Sequence, residues 1–275
     1  MMSSKIAKSL FPPIAYSLAK SLYYRYRFWR WPNKQLLEKN KELLSLKSQE
    51  AAFLIATGPS LNLENLQQLT GKDCYSVSNF FLHPDLLTVN PKIHFFAPYH
   101  PPLIFENYAE WLISADKKLP PETKICLSHE TESIVQAYKI FQNRDIYYIY
   151  LSHEYPKKIT LTKPILSPQS GPIMMLPILL AMQYKKIYLL GCDHTALRNF
   201  GGTISHFYTA EKDARKNASD TNAWAPLKHE LMSNLKLLEQ YNYYAQIAKI
   251  QGTEIINLSQ DSWLDIFPKN RLNDV

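Results

Sequence analysis

From Ala51 to Leu258 the sequence alternates short apolar runs with longer stretches of helical spacing, and this alternation constrains the fold more than any other feature. The apolar runs are Ala52–Ala56, Cys74–Ser78, Ile93–Phe96, Lys124–Ser128, Ile146–Leu151, Ile187–Leu190 and Glu254–Leu258. Helical patterns separate them at Leu63–Leu69, Phe105–Ile113, Glu132–Gln142, Pro172–Tyr184 and Leu227–Ile250. Strands that are apolar on both faces and divided by helices predict an α/β fold, a doubly wound and mostly parallel sheet of Rossmann-like type. The expected organisation is a single domain over 51–275, preceded by a segment at 1–32 and a connecting helix at 33–50. The run from Pro164 to Tyr184 carries no charge, but Pro164, Pro168, Ser167, Gln169 and Ser170 confine its strongly apolar part to Pro172–Met182. That is shorter than the roughly 20 residues a membrane span needs, so it predicts a buried helix.

Charge is distributed unevenly. Lys5, Lys8, Lys20, Arg25, Arg27, Arg30 and Lys34 all precede the first acid, Glu38. They account for the whole formal net charge of +7, and the rest of the chain is balanced. A neutral body argues against nucleic acid as a partner. The first segment mixes these cations with Tyr16, Tyr23, Tyr24, Tyr26, Phe28, Trp29 and Trp31. Pro12-Pro13 suits a helix start and Trp31-Pro32 its end. A basic, aromatic, amphipathic helix of this kind suits the headgroup layer of an anionic membrane, contacted through residues 5–31. The alternatives are a basic helix that packs on the body, or RNA contact. No signal peptide is expected, because a small-residue cleavage site is missing. Cys74, Cys126 and Cys192 each lie in an apolar run and read as buried reduced thiols, which argues for a cytosolic compartment and against disulfides or zinc. The expected location is therefore cytoplasmic, peripheral on the inner face of the membrane.

Ligands of open α/β sheets bind beyond the carboxyl ends of the strands. Those ends read Thr57-Gly58-Pro59-Ser60, Ser78-Asn79, Ala97-Pro98-Tyr99-His100, Ser128-His129 and Gly191-Cys192-Asp193-His194. Gly58 lets the chain pass close to a ligand. Ser60 is placed to cap the next helix, whose free N–H groups favour phosphate, although a plain strand-to-helix turn reads the same. Asp193 is a candidate for ribose hydroxyls, for a metal, or for a helix cap. Neither GxGxxG nor GxxxxGK[ST] occurs, which removes ordinary dinucleotide enzymes and P-loop kinases. No HExxH or CxxC is present, so no metal site is expected, and His83 and His94 read as structural.

Taken together, LIATGPSL (Leu54–Leu61), VSNFF (Val77–Phe81) and QSGPIMMLPILLAMQYKKIYLLGCD (Gln169–Asp193) resemble the bacterial sialyltransferases of glycosyltransferase family 42. They are also similar to the Rossmann-like domain of motility accessory factors and archaeal pterin diphosphokinases. The resemblance covers about Ala52–Asp193, with a weaker match at Ile255–Phe267. It implies a GT-A-variant fold in which Thr57, Gly58, Pro59 and Ser60 line the nucleotide pocket. Asn79, Ser170 and Gly171 would contact a CMP-sugar donor, and Gly191, Cys192 and Asp193 would frame the cytidine. The family's catalytic histidine falls in a flexible stretch after the last of these strands, which here is a lid at about 199–226, and its histidine is His206. Tyr208 or His194 would assist the departing phosphate. Ser167, Ala97 and Thr195 stand where the family has arginine, asparagine and tyrosine, which widens the donor to nonulosonic or ulosonic sugars.

The function implied is a membrane-associated, metal-independent inverting glycosyltransferase with no cofactor beyond its CMP-sugar donor substrate. Its acceptor would be a cell-surface glycan or glycolipid, as in bacterial lipopolysaccharide biosynthesis. A homo-oligomer is compatible with the sequence. The alternatives are an ATP-dependent pterin diphosphokinase using Mg²⁺ at Asp193, and a nucleotide-binding relative without catalysis.

Overall fold

A computed structural model describes residues 12–101, 103–215 and 224–275. Lys5, Lys8 and the middle of the expected lid, 216–223, lie outside the described residues. The chain begins with helix α1 (Pro13–Arg30) and a 3-10 segment, Lys34–Leu46, then enters β1 (Ala51–Ile55), β2 (Asp73–Val77), α2 (Leu86–Val89) and β3 (Ile93–Phe95). It continues through α3 (Phe105–Lys118), β4 (Lys124–Ser128), α4 (Glu132–Ala137), β5 (Ile146–Ile149), β6 (Leu151–Ser152), β7 (Ile165–Leu166) and α5 (Gly171–Ala181). β8 (Lys186–Leu190), α6 (Leu227–Gln251) and β9 (Glu254–Asn257) complete it.

The main sheet has the order β5-β4-β3-β2-β1-β8-β9, with every pairing parallel. Period-2 alternation explains how it is covered on both sides. In β1, Ala52 and Leu54 point into a core shared with α5 and α6, whereas Phe53 and Ile55 point into one shared with α3 and α4. The fold is thus the doubly wound α/β sheet that the strand pattern predicts. Helix α5 is apolar all round and buried from Pro172 to Leu180 against β1, β2 and β3, as expected of a core helix. No described helix is long and apolar enough to cross a membrane. The three cysteines are free and buried.

Several expected elements differ. The Leu63–Leu69 helix is two 3-10 turns, Pro59–Leu63 and Leu66–Leu69, because Asn65 accepts the Gln67 N–H and starts a second turn. The expected Glu132–Gln142 helix stops at Ala137, and Lys139 and Phe141 take left-handed backbone angles beyond it. The connecting segment is 3-10 rather than α. It is held where the fully buried Asn40 donates to the carbonyls of Tyr148 (2.7 Å) and Leu161 (2.9 Å). Helix α1 packs on the body along one face, through Tyr24 on His153, Phe28 on Tyr150 and, just beyond it, Trp31 on His129.

At the opposite end of the sheet from the site, Asp73 is buried at 1% exposure and 2.6 Å from Lys92 Nζ. Burial pushes its carboxyl up. Hydrogen bonds from Lys92, Ser48 and Tyr184 outweigh that and bring it down to about 2. A carboxylate depressed in the folded state stabilises the fold above its ordinary pKa, and that contribution fades as pH falls towards the folded value. The chain is therefore expected to lose about 2 kcal/mol between roughly pH 4 and pH 2, and Asp73→Asn to flatten that acid limb in chemical denaturation.

Candidate functional site

From β1 the chain steps through β2 to β5 on one side of the sheet, then returns to lay β8 and β9 on the other. The connections above β1 and β8 leave in opposite directions, so a crevice opens between the carboxyl ends of those strands, where α/β folds bind ligands. A cavity of about 310 Å³ lies there. Ala56, Thr57, Gly58 and Pro59 line it from β1, and Gly191, Asp193 and His194 from β8. Val77 and Ser78 contribute from β2, and Ser170, Gly171 and Pro172 from the start of α5. The following segment adds Thr195, Ala196, Arg198, Asn199 and Thr203–His206, with Asp261 beyond β9.

The β1 and β8 turns interlock. Gly58 has φ −64°, a value open to any residue, so glycine is needed there for space and not for torsion. A Cβ on it would lie 2.5 Å from Asp193 Cγ and 2.6 Å from the Gly191 carbonyl oxygen. Gly191 has φ +64°, in the left-handed region where glycine is favoured, and its backbone carbonyl accepts from Gly58 N–H at 2.9 Å.

Asp193 lines the cavity, but its carboxylate works within the protein. Oδ2 accepts the Ser60 N–H (2.8 Å) and Oδ1 the Ser60 hydroxyl. Burial raises its pKa against those bonds. This corrects the expectation for Ser60, which sits inside the Pro59–Leu63 turn, is buried, does not line the cavity and caps nothing. The turn has no N–H to offer phosphate: Gly58 donates to Gly191, Ser60 to Asp193, Leu61 to Gly58, and Pro59 has none. Asp193, the candidate acceptor for ribose or metal, lines the cavity with one hydrogen bond from Ser60 on each carboxylate oxygen. Among the described residues no group of three or more His, Cys, Asp or Glu side chains is placed to hold a metal.

Three further expected residues lie outside the cavity. Cys192 is buried, and its N–H and carbonyl are bound to the Ser259 and Ser262 hydroxyls. Asn79 is fully buried, its side-chain oxygen accepting from the Trp111 indole. Tyr208 is buried, with its hydroxyl 3.4 Å from Asp213 Oδ2 and its pKa pushed up to about 12, chiefly by burial.

The histidines take distinct roles. His94 is structural, as expected: it is fully buried, bonded to Ser76 Oγ (2.7 Å), and donates from Nε2 to the Ser78 carbonyl (2.8 Å). That bond secures Ser78, a cavity residue held at φ +58°. His83 stacks on Phe80. His194 lines the cavity and shares a hydrogen bond of 2.7 Å with the Tyr241 hydroxyl, and burial pulls its pKa down to about 4. His206 lines the cavity half-buried, stacked parallel on Tyr208 at 4.9 Å. Burial and the charge of Arg215 lower its pKa, while a hydrogen bond to the Thr57 backbone and the charge of Asp213 raise it, and the net shift is downward. Both imidazoles therefore favour the neutral form at physiological pH, and of the two it is His206, with His194 held by Tyr241, that is placed to accept a proton.

Sequence reasoning missed two groups. Arg198, a cavity residue, is fixed by a two-pronged ion pair with Asp261 (2.6 and 2.9 Å) and lies over the Trp263 ring. Its sequence signal is its place in the first turn after the β8 motif. Behind His206, Arg215 chelates Asp213 and lies 4.4 Å over Trp111, so that Trp111, Asn79, Tyr208, Asp213 and Arg215 form one packed polar group. Nothing in the local sequence signals this group.

The fold and site define a doubly wound α/β protein with a histidine-bearing cavity at the point where the strand order reverses. No family model matches the chain, and no curated protein matches it in sequence. Among solved structures it is similar to the sialyltransferase CstII of Campylobacter jejuni in complex with the substrate analogue CMP-3FNeuAc, at 15% identity over 80% of this chain and 86% of that one, with a TM-score of 0.44. A CstII structure with cytidine-5'-monophosphate aligns at 18% identity over 82% and 87%, also with a TM-score of 0.44. A third, with trisaccharide acceptor and CMP, aligns at 16% identity over 80% and 85%, again with a TM-score of 0.44.

Proposed function

We propose that the protein is an inverting glycosyltransferase that moves an acidic, sialic-acid-like sugar from CMP to a hydroxyl of a membrane-borne glycan. The observation that carries this reading is the neutral, half-buried His206 in the wall of a switch-point cavity of nucleotide size. In the proposed step the acceptor oxygen attacks the anomeric carbon as the bond from that carbon to the phosphate oxygen breaks. His206 takes the acceptor proton, and CMP leaves with the bonding electron pair. The departing phosphate meets the positive end of α5, whose N-cap Ser170 makes no side-chain cap, and the guanidinium of Arg198, whose charge is balanced by Asp261. These groups replace the Ser60 turn. His194, locked to Tyr241, shapes the wall beside them. The stretch Asn199–Arg215, which carries His206, acts as the near part of a lid over donor and acceptor.

Helix α1 supports the membrane part of the proposal. Ile14, Leu18, Leu22, Tyr26 and Trp29 are exposed along one side of it, and Lys20, Arg25, Arg27 and Arg30 accompany them with no acid in the helix.

A thermal-shift panel of CMP, CDP, UDP, GDP and ATP, with and without Mg²⁺, tests the donor assignment. At 100 times its dissociation constant CMP is expected to stabilise the fold by about 2.7 kcal/mol. Stabilisation by ATP with Mg²⁺ alone, or by no nucleotide, would sink the reading.

A further inference from the structure

The cavity is bordered by an apolar surface that the proposed chemistry does not use. Ile204 lines the cavity and is 41% exposed, and Phe200, four residues earlier, is 42% exposed. The Phe200 ring lies 5.1 Å from Trp224, whose indole N–H donates to the Gly202 carbonyl (2.5 Å). Three residues on, α6 begins, and its first turns expose Leu227, Leu231, Met232 and Leu235. The spacing 227, 231, 235 puts three leucines on one helical stripe, about a third of a turn round from the buried Leu237, Tyr241 and Tyr244. Seven apolar side chains therefore extend from the cavity mouth, at Phe200, Ile204 and Trp224, to the first turns of α6.

We infer that this rim is itself a membrane-contact surface, which sets the cavity mouth against an anionic bilayer so that the acceptor hydroxyl enters from the headgroup layer. The inference rests on the membrane-borne acceptor reading and adds to it a second contact, on α6. Charge complementarity selects the occupant. On α6 Lys228 and Lys236 are matched by Glu230, which accepts the Ala225 N–H (2.9 Å), and by the exposed Glu239, so the net positive charge comes from α1, whose Lys20, Arg25, Arg27 and Arg30 meet no acid in that helix. His153 links this surface to α1: its ring lies 5.4 Å from Tyr24, and the charges of both Lys20 in α1 and Lys236 in α6 depress its pKa after burial. The cations of α1 thus stand beside the loop on which α6 packs, where the Tyr155 and Tyr243 rings lie 4.9 Å apart. A second copy of the chain, paired about a twofold axis, would bring those cations against their own counterparts. An anionic surface draws them in and accepts the leucines.

The test is flotation of the full chain with phosphatidylcholine vesicles, with and without phosphatidylglycerol. It compares the wild type, a rim variant (Leu231→Glu with Leu235→Glu) and an α1 variant (Leu18→Glu with Leu22→Glu). All four positions are exposed, so an unchanged melting temperature is the control for folding. Each pair is expected to weaken partition into anionic vesicles by about tenfold or more, and the two together to abolish it. A rim variant that floats like the wild type while the α1 variant fails overturns the inference and leaves the membrane reading standing. A wild type that does not float overturns both. A wild-type dimer that becomes a monomer in the rim variant assigns the surface to a second copy and also overturns it.

Discussion

Replacing His206 with alanine is expected to lower transfer by about 100- to 10,000-fold, the usual contribution of a positioned general base. Nucleotide binding should survive, because the interlocked turns at Gly58 and Gly191 do not depend on the imidazole. The pH profile gives an independent check. Burial is the largest influence on His206 and favours the neutral ring, and the net shift is downward from the ordinary 6.5. The base form therefore persists to lower pH than in a solvated histidine, and the acid limb of kcat should fall below 6.5. A single-turnover assay across pH, paired with CMP titration of the variant, reads both quantities. Wild-type turnover in His206→Ala would remove it as the base, and loss of CMP binding would make its role structural.

Gly58→Ala should have the largest effect on stability of any single methyl group added at the site. The backbone at Gly58 is unstrained, so the cost is wholly steric: the new Cβ meets the Asp193 carboxylate and the Gly191 carbonyl at 2.5–2.6 Å. Neither can yield cheaply, since Asp193 holds Ser60 and Gly191 belongs to the neighbouring strand's turn. Overpacking of this kind is expected to cost about 3 kcal/mol and to lower the melting temperature by roughly 6–12 °C, with donor binding lost as the turns separate. Gly201→Ala makes an instructive comparison. A Cβ there meets nothing, and only its φ of +84° opposes the change, so a milder effect is expected.

The sheet was legible because each strand is buried on both faces and must be apolar almost throughout, so that Ala51–Ile55, Lys186–Leu190 and the rest stand out against their polar connections. The position of the cavity followed from strand ends alone. The assignments of individual side chains did not all follow, for a physical reason. Ser60, Asn79 and Cys192 stand at the right places in the chain, but each is committed to a partner distant in sequence: Asp193, Trp111, and Ser259 with Ser262; Tyr208 is turned instead to Asp213, five residues on. A polar residue at a strand end is equally suited to binding a ligand and to tying two loops together, and local sequence does not distinguish these. The Arg215–Trp111 contact spans from the lid to α3 and left no mark in either segment. The 3-10 turns after β1 were obscured by leucine spacing that fits an α-helix equally well.

The stitching of the β8 turn has a consequence for biosynthesis. Cys192 and Asp193 are tied to Ser259, Ser262 and the Trp263 N–H, and β1 takes β8 as its neighbour across nearly half of the chain. Parallel pairings this remote in sequence form slowly, while domains acquire structure as the nascent polypeptide emerges. Translation must therefore have passed codon 263, and that segment must have emerged from the ribosomal tunnel, before the binding groove can assemble. Until β8 pairs with it, the growing chain holds a half-built sheet with one edge of β1 bare, and it is in this interval that a chaperone would have most to protect.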